Sequence, residues 1–350
     1  FQKVKLAILS IRDIDRKLTG KEKRMEKKKN FDLLTFGQVL LRLSPPDNER
    51  LMRGDTFVKQ VGGAELNVAV GVALLGLHTG IISRLPSHDM GAFMKGKIRS
   101  YGVSDDYFIY DNSPAARVGI YYYENGAYPR KPKVIYDRSG SSFYSLKIED
   151  VPEEAYRSTR CFHTSGITLA LSPQLRETTI EMVKRFKESG ALVSFDVNFR
   201  GNLWTGAEAK ECIERILPYI DIFFCSEDTA RLTFLKTGTA KEMMKSFTQE
   251  YPISIVASTQ RVVHSPKRHT FGSVIYDAKN NTYHEEEPYR DIEVVDRIGS
   301  GDAYISGALY GLLSSDFDCD KAMQYGNATS AVKNTIPGDL PSSNLDEINT

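Results

Sequence analysis

Apolar runs of strand length alternate with segments of helical spacing along most of the chain. The runs typical of buried strands occupy residues 31–43, 79–83, 161–165, 192–197, 222–226 and 253–258. Segments of helical spacing lie between several of them, at residues 62–75, 90–101, 175–186 and 209–217. This alternation predicts a layered α/β domain in which helices cover a sheet.

Residues 116–142 break this alternation. Two strand-like runs, 118–123 and 134–138, are joined through Gly126 and Pro129 with no helix between them. They predict an antiparallel flap outside the main sheet. Three more elements are predicted farther along: a hairpin of residues 272–277 and 282–286, and helices that begin at Gly301 and near Asp320.

The composition narrows the class of protein. Of the 350 residues, 41% are hydrophobic and 26% are charged, which allows a sizeable core beneath an ordinary soluble surface. No apolar stretch approaches the roughly 20 residues that a membrane crossing needs, so no membrane partner is predicted. The four cysteines form no CxxC pair and the six histidines have no metal-ligand spacing. These patterns argue against a zinc site or a disulfide framework, predict no protein-bound metal, and favour a reducing cytoplasm.

Positive charge is concentrated at the amino terminus. Residues 1–30 hold 11 Lys and Arg against 4 Asp and Glu, a net +7, whereas residues 31–350 hold 35 against 41, a net −6. The acidic remainder argues against nucleic acid as the main partner. The chain begins with Phe1, and Met25 is followed by a basic run and then the first strand. We therefore expect Met25 to be the natural start and residues 1–30 to be a basic extension outside the fold.

Residues 296–304 carry the most chemical information. Gly299 and Gly301 flank Ser300 and allow a close backbone approach, and an apolar run that begins a helix follows them. Exposed amides at the start of a helix form an anion site. Asp302 has two interpretations of equal weight: a base for a hydroxyl that attacks a bound phosphate, or a carboxylate that caps the helix. No P-loop or protein-kinase pattern is present, which excludes those two nucleotide-binding classes.

Two motifs resemble the ribokinase-like, pfkB-type carbohydrate kinase family, and the resemblance runs from about residue 31 to the carboxyl terminus. Residues 62–69, Gly-Gly-Ala-Glu-Leu-Asn-Val-Ala, are similar to the glycine-pair motif that contacts the sugar. Residues 296–302 are similar to the family's Gly-x-Gly-Asp motif. The resemblance implies a three-layer α/β/α sandwich with a small β-sheet lid, here from about residues 40–60 and 115–142.

The resemblance also implies roles. ATP and Mg²⁺ would be the cofactors, Asp302 the catalytic base, and the amides of Gly299, Ser300, Gly301 and Asp302 an anion hole. Within the family, Arg200, the lid segments around Tyr121 and Tyr136, and the late Asp339 resemble the 2-keto-3-deoxygluconate kinases. The substrate contacts implied in this way are Gly62, Gly63, Asn67, Tyr121, Tyr136, Arg138, Arg200 and Asp339. The implied reaction phosphorylates the terminal hydroxyl of 2-keto-3-deoxy-D-gluconate.

The choice of substrate depends on two arginines. If Arg138 and Arg200 both reach the cleft, a carboxylate would match their guanidinium forks, and the substrate would be a sugar acid. From the residues alone, both side chains could instead pair with surface carboxylates. Two alternative functions stay open: a kinase of a neutral sugar such as fructose or ribose, and a non-catalytic sugar-binding protein of the same fold.

The nucleotide side departs from the family pattern. Where many members have Asn-x-x-Glu, this chain has Ser226-Glu227-Asp228-Thr229, and residues 258–271 are a longer and more basic counterpart of the nucleotide-side loop. The nucleotide contacts implied are Ser226, Ser258, Gly299, Gly301 and Asn327. Exposed lid strands often pair with another subunit, which favours a homodimer or higher homo-oligomer through the lid.

Overall fold

The computed structural model describes residues 29–350, in which fifteen strands form two sheets. The strands are β1 (Phe31–Phe36), β2 (Leu40–Ser44), β3 (Val58–Gly62), β4 (Thr79–Pro86), β5 (Val103–Ser104), β6 (Phe108–Asp111), β7 (Gly119–Glu124), β8 (Lys133–Asp137), β9 (Thr159–Ser165), β10 (Leu192–Asp196), β11 (Ile222–Phe224), β12 (Ile255–Ser265), β13 (Arg268–Asp277), β14 (Thr282–Glu285) and β15 (Tyr289–Glu293). The expected start at Met25 and nearly all of the basic extension lie outside the described residues.

The α-helices of the described residues cover the larger sheet. They are α1 (Ala64–Leu74), α2 (Asp89–Ser100), α3 (Glu153–Arg157), α4 (Gly166–Ala170), α5 (Pro173–Glu188), α6 (Gly206–Glu214), α7 (Glu227–Phe234), α8 (Ala240–Glu250), α9 (Ser300–Ser314), α10 (Cys319–Asn334) and α11 (Leu345–Ile348). No helix among residues 29–350 is long and apolar enough to cross a membrane.

The larger sheet has the strand order β14-β13-β12-β11-β10-β9-β1-β4-β5, with β6 also paired to β4 and β15 to β13. The six neighbours from β12 to β4 run parallel. Their carboxyl ends therefore meet at one edge of the sheet, which is where open α/β sheets bind ligands.

Alternate residues of these strands enter two separate apolar cores. Leu34, Phe162 and Phe195 pack under α3 and α5 to α8, whereas Leu33 and Cys161 pack under α1, α9 and α10. Burial of both faces explains why the parallel strands are continuous apolar runs in the sequence. The arrangement is the predicted three-layer α/β/α sandwich.

The smaller sheet is the lid, with strand order β3-β2-β7-β8. β7 and β8 are antiparallel, as residues 118–123 and 134–138 predict, and β2 pairs with β3 antiparallel and with β7 parallel. The outer strand β8 is exposed along its whole length.

The prediction of one strand over residues 31–43 is wrong. The chain leaves the larger sheet after β1, turns at residues 37–39, and enters the lid as β2. Gly37 permits this turn because a Cβ there would collide with the Glu65 carboxylate. Both strands are buried, so the hydrophobic pattern shows no boundary between them.

Residues 258–271 are also not a loop. β12 continues to Ser265 and β13 begins at Arg268, so the two strands form a long antiparallel hairpin. Most of residues 260–268 are exposed, which means that no alternation of apolar and polar positions marks them as strands. The hairpin brings Arg261 to the edge of the sheet where the parallel strands end.

Candidate active site

A cavity of about 650 Å³ lies between the lid and the carboxyl ends of the parallel strands. The predicted site residues that line it are Gly63, Asn67, Tyr121, Tyr136, Arg138, Arg200, Gly299, Ser300, Gly301, Asp302 and Asp339. A smaller cavity of about 190 Å³ adjoins it and shares Asp196, Asn198, Arg200 and Gly301. Residues that are far apart in the chain therefore meet in one cleft.

The first turn of α9 forms one wall of this cleft. Gly299 has a left-handed φ of 79°, and a Cβ there would collide with the Asp339 carbonyl oxygen, so glycine is required. A Cβ at Gly301 would meet no atom within 4 Å, so the backbone is open toward the cavities. The amides of Gly301 and Asp302 belong to the first helical turn and have no intrahelical acceptor. They can therefore bind an anion.

Asp302 lies beside these amides, with its carboxylate held by α1. Asn67 Nδ2 donates a hydrogen bond of 2.6 Å to Asp302 Oδ2. Burial raises the pKa of Asp302 to about 6, even though this hydrogen bond favours the charged form. The carboxylate is thus mostly ionised at pH 7 and can accept a proton. Asn67, predicted as a substrate contact, is in the structure a hydrogen-bond donor to Asp302.

The glycine pair sets the start of α1. Gly63 has a φ of 140°, and a Cβ on it would collide with the Gln38 carbonyl oxygen. A Cβ on Gly62 would collide with the Asp339 carboxylate. Gly63 lines the cavity, whereas Gly62 does not, so the structure explains Gly62 by close packing.

Asp196 is a second acidic residue in the cleft, and it was not among the predicted site residues. It ends β10 and lines both cavities. Burial, followed by the nearby charge of Asp302, raises the pKa of Asp196 to about 7. The sequence feature that could have identified Asp196 is a carboxylate at the end of a run typical of a buried parallel strand. Together the two carboxylates offer the oxygen donors that Mg²⁺ prefers.

Glu65 is a third acidic residue in the cleft that was not predicted. Its Oε1 accepts hydrogen bonds from Ser165 Oγ at 2.6 Å and from Thr168 Oγ1 at 2.7 Å. Burial raises the pKa of Glu65. The hydroxyl donors fix its orientation at the cavity wall.

The two predicted arginines reach the cavity from different elements. Arg138 Nε donates to Gln38 Oε1 at 2.7 Å, and burial lowers the pKa of Arg138. Arg200 Nη1 donates only to the neighbouring Phe199 carbonyl at 3.2 Å. Neither arginine forms an ion pair with another residue of the described part of the chain, so the alternative of pairing with surface carboxylates is wrong. Two further arginines, Arg261 and Arg297, also line the cavity.

A buried ion-pair cluster joins the lid to the cavity wall. Arg42 of β2 contacts Asp296 Oδ2 through Nη2 and Asp339 Oδ1 through Nη1, both at 2.7 Å. Burial opposes the charge of Arg42, but the carboxylates of Asp339 and Asp296 raise its pKa. The Tyr121 hydroxyl also donates to Asp339, and Tyr123 packs its ring against Arg42, 4.4 Å from the guanidinium. Arg42 was not predicted, although a charge in the apolar run Leu-Leu-Arg-Leu was a signal.

Only some of the residues predicted to contact the nucleotide line a cavity. Ser226 lines the smaller cavity and caps α7, its Oγ accepting from the Thr229 amide at 3.3 Å. Ser258 and Asn327 are buried and line neither cavity, and Asn327 Nδ2 donates to Glu286 Oε1 at 2.6 Å. Glu227 is paired with Arg231 at 2.7 Å. Contact of Ser258 or Asn327 with a nucleotide stays a prediction.

Comparison with known proteins gives consistent results. The sequence pattern that describes pfkB family carbohydrate kinases matches residues 30–344. The chain is 33% identical over 317 residues to the 2-dehydro-3-deoxygalactonokinase of Haloferax volcanii, covering 91% of this chain and 95% of that protein. It is 26% identical to a 5-dehydro-2-deoxygluconokinase of Listeria monocytogenes, with coverage of 89% and 91%. The crystal structure of the 2-dehydro-3-deoxygluconokinase of Thermotoga maritima matches with a TM-score of 0.85 and 33% identity, covering 91% of this chain and 98% of that one.

Proposed function

Because the chain belongs to the pfkB family of carbohydrate kinases, we propose that it transfers the γ-phosphoryl group of ATP to the terminal hydroxyl of 2-keto-3-deoxy-D-gluconate. The observation that carries this proposal is the pair of guanidiniums, Arg138 and Arg200, that line one cavity without an ion-pair partner among the described residues. The names of the two relatives that are 33% identical both denote kinases of 2-dehydro-3-deoxy sugar acids.

The two guanidiniums favour an acid over a neutral sugar. A neutral hexose offers hydroxyls, which would leave many of the ten guanidinium N–H donors of Arg138 and Arg200 without a matching acceptor in a closed cleft. A carboxylate supplies two oxygens in the geometry of a guanidinium fork, and such a charge-assisted contact contributes about 1.5–3 kcal/mol. Glu65 and Asn67 line the same cavity and remain available for hydroxyl groups of the same ligand.

In the proposed mechanism Asp302 is the general base. Its carboxylate accepts the proton as the substrate hydroxyl oxygen attacks the γ-phosphorus, and ADP leaves on the opposite side. Asn67 holds the carboxylate in one orientation through its 2.6 Å hydrogen bond. The amides of Gly301 and Asp302 donate hydrogen bonds to the oxygens of the transferring phosphoryl group and so stabilise its negative charge.

The cleft also fits a magnesium ion that accompanies the nucleotide. Asp196 faces both cavities beside Asp302, and the charge of Asp302 helps raise the pKa of Asp196, so a divalent cation would relieve their repulsion. We assign the ion to Asp196 rather than Glu227, because Arg231 already pairs with Glu227. Bound there, Mg²⁺ would neutralise phosphate charge. Arg261 and Arg297 would add positive charge near the same phosphates.

We further propose that the protein forms a homodimer through its lid. Several large apolar side chains of the lid region are exposed, among them Phe57, whose ring packs against Tyr122, and Ile135 of β8, which pairs with Tyr122. Ile135 lies on the strand face opposite to Val134, which lines the cavity. An exposed apolar sheet face of this kind is typical of a subunit interface. Light scattering on the purified protein and on Ile135→Lys tests this proposal, because a monomeric unmodified protein would contradict it.

An ADP-release assay over a panel of substrates tests the function. The panel holds 2-keto-3-deoxy-D-gluconate, its galactonate epimer, 5-keto-2-deoxy-D-gluconate, fructose and ribose. We expect kcat/KM to be at least about 10²-fold higher for the 2-keto acids than for the neutral sugars, the factor of one lost charged contact. Equal turnover of fructose and the keto acid would support the neutral-sugar alternative. Binding without turnover of any member would support the non-catalytic alternative.

A further inference from the structure

A cluster of metal-ligand side chains lies at the opposite edge of the larger sheet from the cleft. Asp277 ends β13, where it pairs with Ile255, the first residue of β12. His284 lies on the next strand, β14, and Cys319 is the first residue of α10. One ligand atom from each of these three side chains lies within 4.8 Å of the other two. We propose that Asp277, His284 and Cys319 bind a divalent metal ion of the zinc class.

The hydrogen bonding of the His284 ring is typical of metal-binding histidines. Its Nδ1 lies 2.7 Å from Asp320 Oδ1, and since an ionised carboxylate only accepts, Nδ1 carries the proton. In the neutral ring Nε2 then has a free lone pair, and this atom is buried with no hydrogen-bond partner among the described residues. Ligating histidines typically donate their other ring N–H to a carboxylate in this way. Asp320 thus orients the ring and fixes its tautomer.

The thiol lies in surroundings that disfavour its ionisation without a cation. Cys319 is only 4% exposed, and its Sγ donates a weak hydrogen bond to the Phe317 carbonyl at 3.8 Å. The carboxylates of Asp277, Asp318 and Asp320 are close enough to act on the charge of this thiol. A bound dication would offset these carboxylate charges and hold the sulfur as a thiolate.

The donor set selects the kind of metal. One sulfur, one imidazole nitrogen and one carboxylate oxygen suit zinc in a tetrahedral site with a fourth position for water. Zinc bonds of about 2.0–2.3 Å place such ligand atoms about 3.3–3.8 Å apart, so the observed spacing closes with small side-chain rotations. Mg²⁺ and Ca²⁺ prefer oxygen ligands and fit poorly.

The carboxylate of the cluster is already held in place. Asp277 Oδ1 accepts from the amides of Lys279 and Asn280, and Oδ2 accepts from Asn280 Nδ2 at 2.7 Å. These bonds use both lone-pair positions of Oδ1 and one of Oδ2, which leaves one position on Oδ2 for the ion. The ion would tie the β13–β14 hairpin to the start of α10, which packs against α9, the helix that carries Asp302. A bound ion should therefore stabilise the fold, and it would lie outside the cleft.

Cobalt binding to the full chain tests this site independently of any kinase activity. After dialysis against a chelator, Co²⁺ should bind with one-to-one stoichiometry and give the near-ultraviolet charge-transfer band of a cobalt–thiolate bond. Zn²⁺ should abolish the band, excess Mg²⁺ should not, and saturating Zn²⁺ should raise the melting temperature by several degrees. Absence of the band in the unmodified protein would overturn the proposal.

Variants identify the ligands. Cys319→Ser should remove the charge-transfer band, and His284→Gln and Asp277→Asn should each weaken cobalt binding by about 10²-fold or more. Asp320→Asn should weaken it by about 10-fold to 100-fold, since that residue only orients the ring. The matched control is Cys212→Ser, a buried cysteine on α6. If the band survives in Cys319→Ser, or if His284→Gln binds cobalt normally, the assignment is wrong.

Discussion

Replacing Arg200 by leucine removes one of the two guanidiniums that we assign to the substrate carboxylate. Arg200 is exposed and donates only to the neighbouring Phe199 carbonyl, so its loss breaks no ion pair of the described residues. The melting temperature should therefore stay close to that of the unmodified protein. A change in kinetics can then be attributed to the cleft.

The size of the effect follows from the contact that is lost. A charge-assisted hydrogen bond contributes about 1.5–3 kcal/mol, which corresponds to a factor of about 10 to 150 in binding. We expect kcat/KM for the keto acid to fall by about 10²-fold in Arg200→Leu, with the KM for ATP within about 2-fold. Arg200→Lys should recover part of this loss, because an ammonium keeps the charge but not the fork.

The assay must separate this loss from an effect on the base. The charge of Arg200 also lowers the pKa values of Asp302 and Asp196. Both carboxyl groups should therefore ionise less readily in Arg200→Leu. Measurement at pH 8, where Asp302 is ionised in both proteins, removes that difference. Arg231→Leu, which removes a surface arginine paired with Glu227, is the matched control.

Two results would refute the reasoning about Arg200. An unchanged kcat/KM for the keto acid would show that the guanidinium does not contact the carboxylate. A raised KM for ATP with an unchanged KM for the acid would assign Arg200 to the phosphates, since it lines both cavities.

The remaining predictions concern the base and the lid. Asp302→Asn should fold normally and lower kcat by about 10² or more, and near-normal turnover would contradict the mechanism. Because Asp302 must be ionised to accept a proton, kcat/KM should fall as the pH drops below about 6. Asn67→Leu removes a hydrogen bond to the ionised form, so the acid limb of the pH profile should move to higher pH; an unmoved limb would assign it to another group. Arg42→Met leaves the buried carboxylates of Asp296 and Asp339 without their cation and should lower stability by about 3–5 kcal/mol in urea unfolding; a loss under about 1 kcal/mol would contradict the account of this cluster.

The sequence identified the segments of the site better than the contacts within it. The position of Gly299, Gly301 and Asp302 at the cleft could be predicted because backbone requirements leave a local pattern, such as the left-handed Gly299 before α9. The link between Asn67 and Asp302 could not, because it depends on how two distant helices meet in space. For the same reason, a histidine and a cysteine with no regular spacing gave no metal signal, although the fold brings them together.

Local sequence patterns also missed a strand boundary inside a buried apolar run and a pair of strands inside an exposed polar segment. The strand break at Gly37 lies inside a continuous apolar run, and the hairpin around residues 260–268 lies in a polar one. Hydrophobic periodicity reports which side chains are buried but not which sheet buries them. The assignment of β2 to the lid needed the pairing with β3 and β7.

The buried ion-pair cluster explains how the wall of the cleft can keep its amides free. A turn that exposes amides to an anion cannot use them for its own stability, so it must be fixed by other groups. Asp296 does this: Oδ1 accepts from the Ile298 amide at 3.0 Å, and Oδ2 accepts from the Gly338 amide at 3.1 Å and from Arg42. Lys333, fully buried, donates to the Asp296 carbonyl at 3.2 Å. One carboxylate thus contacts the lid strand β2, the turn before α9 and the loop that holds Gly338, and these contacts keep the turn in place while its amides stay free.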